Sequence, residues 1–393
     1  MSTYLSGFTD GIPIGGIFKA NNLLPLNSNY LLCDGSSYLK SSYPAISSSF
    51  QQAFTWSKIT LSSSAAWNAC AYDSSLGIWV MSNTSGGAGS ATAPATLWTA
   101  RSMPAASSYP TMCSNNAGTF VAIGTGSTNV AAQSTNGTSW NARTLPVTTT
   151  WTNVVWNGTK FIVIGTTALN FIVVTSSDGI TWSIVSTLSN LPSGPQAPFS
   201  IAADPATGTI LAFISNQGST MQMSFKSTDN GLSWVGFQTG LAISSSVTQC
   251  VYNGSKWWMA TVQTGGVGGM VSANAIQWNS FLLPQPYSTL NAELSGSANP
   301  WTVANCGGTF VVAGKAAAGG RGVYLSQDGV YWTVVRDVLV DGIGPAIAVA
   351  SDGTNILIIG STTLGFAAWG VPDSTKFILP SLTYAGNYYI RAK

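Results

Sequence analysis

The chain has 393 residues, 45% of them apolar and only 7% charged, so it can bury a large core and must solvate its exterior mainly with Ser, Thr, Asn and Gly. Its apolar runs, such as Phe161 to Ile164 and Ile356 to Ile359, stop far short of the roughly 18 residues a membrane span needs. The formal charge is +2 with no Lys/Arg stripe to neutralise phosphates, which argues against nucleic acid as a partner.

No secretory leader is read in the first residues, MSTYLSGFTDG. Histidine is absent, removing the commonest general base and metal ligand, so no metal or cofactor is expected. The five cysteines (33, 70, 113, 250 and 306) are too few and scattered for a disulfide framework and read as small core residues.

Along the chain, residues 1–52 stand apart from the long repetitive region after them. Asp34-Gly35 reads as a turn. Pro44 at a first helical position, with Ile46, Phe50 and Phe54 at four-residue spacing, predicts one short amphipathic helix. From Phe54 the segment FTWSKITLS reads as a strand carrying Trp56.

Residues 53–372 are repetitive, with a period of about 45. A turn followed by a β-rich run occurs seven times, at Gly77, Gly118, Gly158, Gly208, Gly254, Gly308 and Gly353. A second turn followed by tryptophan occurs at Trp98, Trp140, Trp182, Trp234, Trp278 and Trp332. The seventh tryptophan is Trp56, which lies 42 residues before Trp98 and has no first strand in front of it. The repeat opened by Gly353 ends without its last strand, so the two fragments complete each other. Four short strands per repeat, Asn-Gly and Asp-Gly hairpins and complementary ends predict an all-β fold, a seven-bladed β-propeller closed by N- and C-terminal strands.

The tryptophan-bearing turn resembles the Asp-box of sialidases and related propellers. Ser227 to Trp234 fits S-x-D-x-G-x-x-W, while Ser176 to Trp182, Ser326 to Trp332 and Ser134 to Trp140 are one residue shorter. The turn ending at Trp278 is degenerate. The resemblance implies that Asp178, Trp182, Asp229, Trp234, Asp328 and Trp332 are structural, the carboxylate bonding its own turn and the indole packing between sheets.

Residues 373–393 again leave the repeat. With residues 1–52 they resemble the collar domain of bacteriophage tail fibres, through IPIGGIF (Ile12 to Phe18), YLLCDGSSY (Tyr30 to Tyr38), YPAI (Tyr43 to Ile46), KFILPSL (Lys376 to Leu382) and YYIRAK (Tyr388 to Lys393). The chain would then be a small split collar-like domain carrying an inserted propeller. The resemblance implies a virion location on the phage tail, tail or baseplate proteins as partners, and a homotrimer. The metal-binding histidine pairs of some short tail fibres cannot exist in a chain without histidine.

In a four-stranded antiparallel blade the 1–2 and 3–4 turns share one face. The collar-like segments replace a 3–4 connection and should sit on that face. The opposite face should carry the long loops, which hold Tyr109, Trp151, Tyr287, Glu293, Trp301 and Arg321, with Asp341 nearby. Loops over a rigid scaffold concentrate binding groups. Aromatic rings, carboxylates and Arg together suit a host cell-surface glycan, or else a protein receptor. The expected function is therefore a non-enzymatic, receptor-binding tail-fibre tip.

Two alternatives come from the same residues. A propeller glycoside hydrolase needs two carboxylates, for which Glu293, the one glutamate, and Asp341 are the candidates. A sialidase would need three arginines on its substrate; this chain has five in all and lacks the Arg-Ile-Pro motif. A purely structural baseplate part is the third reading.

Overall fold

The computed structural model describes residues 14, 17–20, 29–105, 107–166, 170–188, 196–216, 222–237, 239, 246–263, 266–282, 302–313, 322–335, 338, 343, 346–382 and 387–392. Among them helix is confined to a 3-10 turn, Lys40–Ser42, and one α-turn, Pro44–Ser47; the rest of the regular structure is antiparallel strand.

The repeats fold as sheets in chain order. Sheet one is Trp67–Asp73, Ile78–Asn83, Gly87–Ala93 and Leu97–Ser102. Sheets two and three (Thr111–Ser114, Phe120–Ile123, Ser127–Ser134; Phe161–Thr166, Phe171–Ser176, Ser183–Leu188) are fused by the 16-residue strand Asn141–Trp156, which pairs with both. Sheet four is Gln196–Asp204, Thr209–Asn216, Gln222–Ser227 and Val235–Phe237. Sheet five is Ser246–Tyr252, Trp257–Gln263, Gly266–Ser272 and Asn279–Leu282. Sheet six is Thr302–Cys306, Thr309–Ala313, Val323–Ser326 and Thr333–Val335.

The last sheet is Ala346–Ser351, Ile356–Gly360 and the long strand Phe366–Ile378. Its outer partner comes from the start of the chain: Gln52–Thr60 pairs antiparallel with Phe366–Ile378, Thr60 opposite Phe366 and Trp56 opposite Gly370. Ser37–Leu39 pairs with the far end of the same strand, Tyr38 opposite Phe377.

Packing explains why each second strand is a continuous apolar run. Successive side chains of a strand point to opposite faces, and here each face of a sheet meets another sheet. Val80 packs toward Phe120 and Ala122 of sheet two, whereas Trp79 and Met81 pack toward Leu357 and Trp369 of the last sheet. Ile162 and Phe161, Leu211 and Ile210, Trp258 and Trp257, Val311 and Phe310 divide in the same way between successive clusters. A strand buried on both faces has no polar alternation to show.

Each repeat tryptophan enters the cluster between its own sheet and the preceding one: Trp140, Trp182, Trp234, Trp278 and Trp332 for sheets two to six. Trp98 lies between the last sheet and sheet one, and Trp56 between sheet six and the last. The first-turn glycines Gly77, Gly118, Gly158, Gly208, Gly254, Gly308 and Gly353 all have positive φ, the conformation their hairpins need and a side chain resists.

Residues near both ends build a further small unit, joined to the last sheet through the strand Phe366–Ile378. Ile17–Ala20 and Tyr30–Leu32 flank Asn387–Arg391 in one sheet, over a core of Leu31, Cys33, Ile46, Phe377, Leu379 and Ile390. The helix is shorter than its spacing predicts. Ile46 is buried, Phe50 stacks on Phe377 at 6.2 Å, but Phe54 lies in the strand Gln52–Thr60. The run Ser47-Ser48-Ser49 ends the helix; Ser47 Oγ donates to the Pro44 carbonyl at 3.2 Å, a local bond that competes with helix propagation.

Candidate functional site

Of the residues proposed from sequence to bind a receptor, Tyr109 and Trp151 are described, and neither offers its ring to solvent. Tyr109 is 0% exposed and fills the space between sheets one and two beside Val80, Met112 and Phe120. Trp151 is 8% exposed, packs with Val121 and Val163, and donates its indole N–H to the Thr128 carbonyl at 2.8 Å. The segment Arg143 to Trp151, which the sequence suggests is a loop, lies inside the strand Asn141–Trp156. The strand Gly87–Ala93 is hidden from a sequence reading by its small residues: a Cβ on Gly89 would press on Met81 Cε at 2.5 Å. Tyr287, Glu293, Trp301, Arg321 and Asp341 lie outside the described residues.

The tryptophan-bearing turns share one geometry. Ser176 Oγ accepts from the Gly179 N–H at 2.8 Å, and Asp178 Oδ1 accepts from the N–H groups of Ile180 and Thr181 at 2.8 and 2.9 Å. The Trp182 indole donates to the Gly179 carbonyl at 3.3 Å. Ser326, Asp328 and Trp332 repeat these contacts, as do Ser227, Asp229 and Trp234 in the longer version. Burial opposes the charge on Asp178 and Asp229, yet the turn hydrogen bonds outweigh it and hold both carboxyls below their ordinary range. All of the described carboxylates (Asp34, Asp73, Asp178, Asp204, Asp229, Asp328, Asp352 and Asp373) accept a backbone N–H from their own turn.

The degenerate turn keeps this geometry at a strain. Asn274 replaces Asp and accepts from Ile276 and Gln277 at 2.9 Å, but Ala275 stands where the others have Gly, at φ 59°. A non-glycine residue in that region costs about 1 kcal/mol. Ala275→Gly is therefore expected to raise stability by about 1 kcal/mol, less the added freedom of the unfolded glycine, read as a higher urea midpoint at unchanged slope; a lower midpoint would contradict the strain.

Sequence reasoning missed a second set of turn contacts. Asn157 Nδ2 donates to Asn230 Oδ1 at 2.7 Å, in the next sheet, and Asn253 Nδ2 donates to the Gly308 and Gln327 carbonyls at 2.7 and 3.1 Å. Asp73 accepts from the Gly118 N–H at 2.9 Å. At these three positions an Asp or Asn closing the first strand of a repeat clips one sheet to the next, whereas Asp204 and Asp352 bond within their own turns. The signal is the recurrence of Asp or Asn there, visible at Asp73, Asn157, Asp204, Asn253 and Asp352.

Two cavities among the described residues lie where the terminal unit meets the sheets. A small one of about 140 Å³ is lined by Ile17, Phe50, Gln51, Asp328, Tyr331 and Pro380. The larger, about 490 Å³, lies between Asp34 to Ser37, Ala53 to Thr55, Val334 and Val335, and Asp373, Lys376 and Ile378. Ser381 fixes this junction: its N–H donates to the Trp332 carbonyl at 2.8 Å and its Oγ accepts from the Val334 N–H at 3.1 Å. Inside the larger cleft Asp34 Oδ1 accepts from the Ser36 N–H at 2.9 Å. Asp373 Oδ1 accepts from Thr375 Oγ1 at 2.6 Å, and its Oδ2 pairs with Lys376 Nζ at 3.3 Å. Those bonds, the Thr375 hydroxyl foremost, keep the Asp373 carboxyl below its usual range. The cleft is invisible to sequence reasoning because its walls come from opposite ends of the chain.

No protein-family model matches the sequence, and no curated protein matches it. Solved structures do resemble the fold. The structure of YCF48 bound to D1 peptide aligns with a TM-score of 0.58 at 15% identity, covering 84% of this chain and 99% of that one. The GH74 xyloglucanase from Xanthomonas campestris aligns at 0.59 and 16%, covering 80% of this chain and 53% of that one. Streptogramin B lyase aligns at 0.58 and 9%, covering 81% and 98%. At such identities the likeness bears on fold alone: the protein is all-β, built of antiparallel sheets of the β-propeller kind.

Proposed function

We propose that the chain is a phage tail-fibre tip protein: a closed seven-bladed propeller that binds a host cell-surface glycan or protein receptor, borne on a split collar-like domain. The observation that carries the reading is the terminal unit, in which Ile17–Ala20, Tyr30–Leu32 and Asn387–Arg391 form one sheet out of the collar-like motifs. Closure is supported by the pairing of Gln52–Thr60 with Phe366–Ile378 and by the cluster joining Trp79 and Trp98 to Leu357 and Trp369. The Ser-Asp-Gly-Trp turns are then its Asp-boxes, structural in role.

The terminal unit lies against the turn Gln327 to Tyr331, so the opposite face is the one left to a receptor. The tips of the tryptophan-bearing turns are aliphatic and exposed (Ile180, Leu232, Ile276 and Val330), which suits attachment of the side that carries them to another tail or baseplate protein, in a monomeric or trimeric fibre. We assign receptor contacts to Tyr287, Glu293, Trp301, Arg321 and Asp341. Tyr109 and Trp151 are excluded from them, since packing between sheets occupies both.

The test is binding of the labelled protein to a panel of bacterial cells and to their extracted surface polysaccharides, with polymer length followed by size exclusion. Saturable binding at unchanged polymer length, weakened by Trp301→Ala and Arg321→Ala, is expected. Shortening of the polymer would favour a hydrolase built on Glu293 and Asp341 instead, and retention of binding and infectivity in both variants would favour a structural part.

A further inference from the structure

We infer that the propeller has a seam that loosens on cooling, between the last sheet and sheet one, where apolar packing stands in for hydrogen bonds. The inference rests on the closed ring proposed above. Every other seam carries a polar link. Asp73 accepts from the Gly118 N–H between sheets one and two, and the Val154 N–H donates to Thr111 Oγ1 at 3.0 Å between sheets two and three. Asn157 and Asn230 join sheets three and four. The Cys250 N–H donates to Ser200 Oγ at 2.9 Å between sheets four and five, and the Val303 N–H to Gln249 Oε1 at 2.8 Å between five and six. The Cys306 thiol donates to the Thr354 carbonyl at 3.4 Å, from sheet six to the last. Among the described residues, which include all of the last sheet and sheet one, no hydrogen bond joins those two. Tyr72 and Asp352 approach across the seam, where burial and then the carboxylate raise the Tyr72 hydroxyl, but they share no hydrogen bond.

The missing link can be traced to one position. Ser200 and Gln249 stand just past the bulge of their first strands, opposite Phe213 and Ala260, and each accepts from the first strand of the next sheet. In the last sheet the same place, past the bulge and opposite Ile359, is Ala348. Its methyl packs against the cluster shared with sheet one and has no oxygen to offer. The N–H it would meet is that of Cys70. Cys70 lies opposite Met81 just as Cys250, the donor to Ser200, lies opposite Met259. What holds the seam instead is aromatic: Trp67, Trp79, Trp98 and Trp369 share its cluster, with Trp79 and Trp369 edge to face at 5.1 Å. Apolar burial weakens as the temperature falls, because near room temperature its driving force is entropic. A seam with hydrogen bonds besides its packing is less exposed to that loss. This one is sound when warm and yields in the cold.

The test is labelling of the folded full chain with N-ethylmaleimide, reading Cys70 and Cys250 separately by mass spectrometry. The two thiols are a matched pair. Both are buried at the same place in their first strands, one in a cluster with Trp79 and Met81, the other with Trp257 and Met259. Burial raises both thiols well above their ordinary range, so access decides the difference in rate. Cooling from about 35 °C to about 5 °C should raise labelling of Cys70 relative to Cys250 about threefold or more. Ala348→Ser, which sets a hydroxyl beside the Cys70 N–H, should slow Cys70 in the cold about fivefold, the equivalent of one net hydrogen bond, and leave Cys250 unchanged. Ser200→Ala should speed Cys250 by a similar factor without moving Cys70. A ratio that stays level or falls on cooling would overturn the inference, as would an unchanged Cys70 rate in folded Ala348→Ser. Cys70 labelled as fast as in the urea-unfolded chain would overturn the closed ring, and the seam with it.

Discussion

A chain lacking residues 1–61 should show no cooperative melting transition. The deleted segment supplies Gln52–Thr60, paired with Phe366–Ile378 over nine positions, from Thr60 opposite Phe366 to Gln52 opposite Phe377. It also carries Ile59 and Leu61 in the cluster shared with Trp79 and Trp369, and Leu31 and Ile46 in the terminal unit. Each large aliphatic removed from a core costs about 2–5 kcal/mol. Four of them therefore approach or exceed the roughly 5–15 kcal/mol by which a folded domain is stable. The loss is also cooperative, because Trp369 and Leu357 would face water on the side where they now face the first sheet. Circular dichroism and tryptophan fluorescence would report it. A truncated chain melting within a few degrees of the intact one would show that the two ends are not structurally joined.

Gly158→Ala should destabilise the fold by about 3 kcal/mol or more, and Gly254→Ala by only about 1 kcal/mol. Both glycines occupy the same first turn of their repeats, at φ +96° and +97°. Both substitutions carry the strain of a Cβ in the left-handed region. They differ in what the Cβ meets. At Gly254 nothing lies within 4 Å, whereas at Gly158 the new carbon would overlap the Pro205 carbonyl in the first turn of sheet four. Backbone cannot swing aside as a flexible side chain can, so that turn must move, and the 2.7 Å bond between Asn157 and Asn230 would be disturbed with it. Urea titration of the two variants side by side gives the comparison. Equal losses would mean that the turns of sheets three and four are not in contact.

Much of the framework is legible in the sequence, and the reasons are local. Positive-φ glycines leave a residue-type signature, and all seven turn glycines named from sequence adopt that conformation. The second strands announce themselves because both of their faces are buried, which turns a weak alternation into an unbroken apolar run. The Ser-x-Asp-Gly-x-x-Trp turns are legible for the same reason: donor, acceptor and glycine all lie within one short segment.

What fails is what depends on distant residues. Sequence alone puts Tyr109 and Trp151 on open loops because their neighbours along the chain are polar, but their neighbours in space are Val80, Phe120, Val121 and Val163. The strand Gly87–Ala93 is built of Gly, Ala, Ser and Thr, and at Gly89 Met81 takes the room a larger residue would need. Asp34 and Asp373 share a cleft only because strands from the two ends of the chain lie together.

That meeting of the ends underlies both the choice of outward face and the junction cleft. It can be tested with a Thr55→Cys, Val371→Cys chain. The two positions are directly opposite in the pairing and both are exposed, within the span a disulfide bridges, and the native cysteines are unpaired and at least half-buried. Mild oxidation should give one intramolecular disulfide between residues 55 and 371, identified by peptide mapping, in protein that keeps its native circular dichroism. Two thiols that stay free in folded protein, or that link only between molecules, would contradict the account.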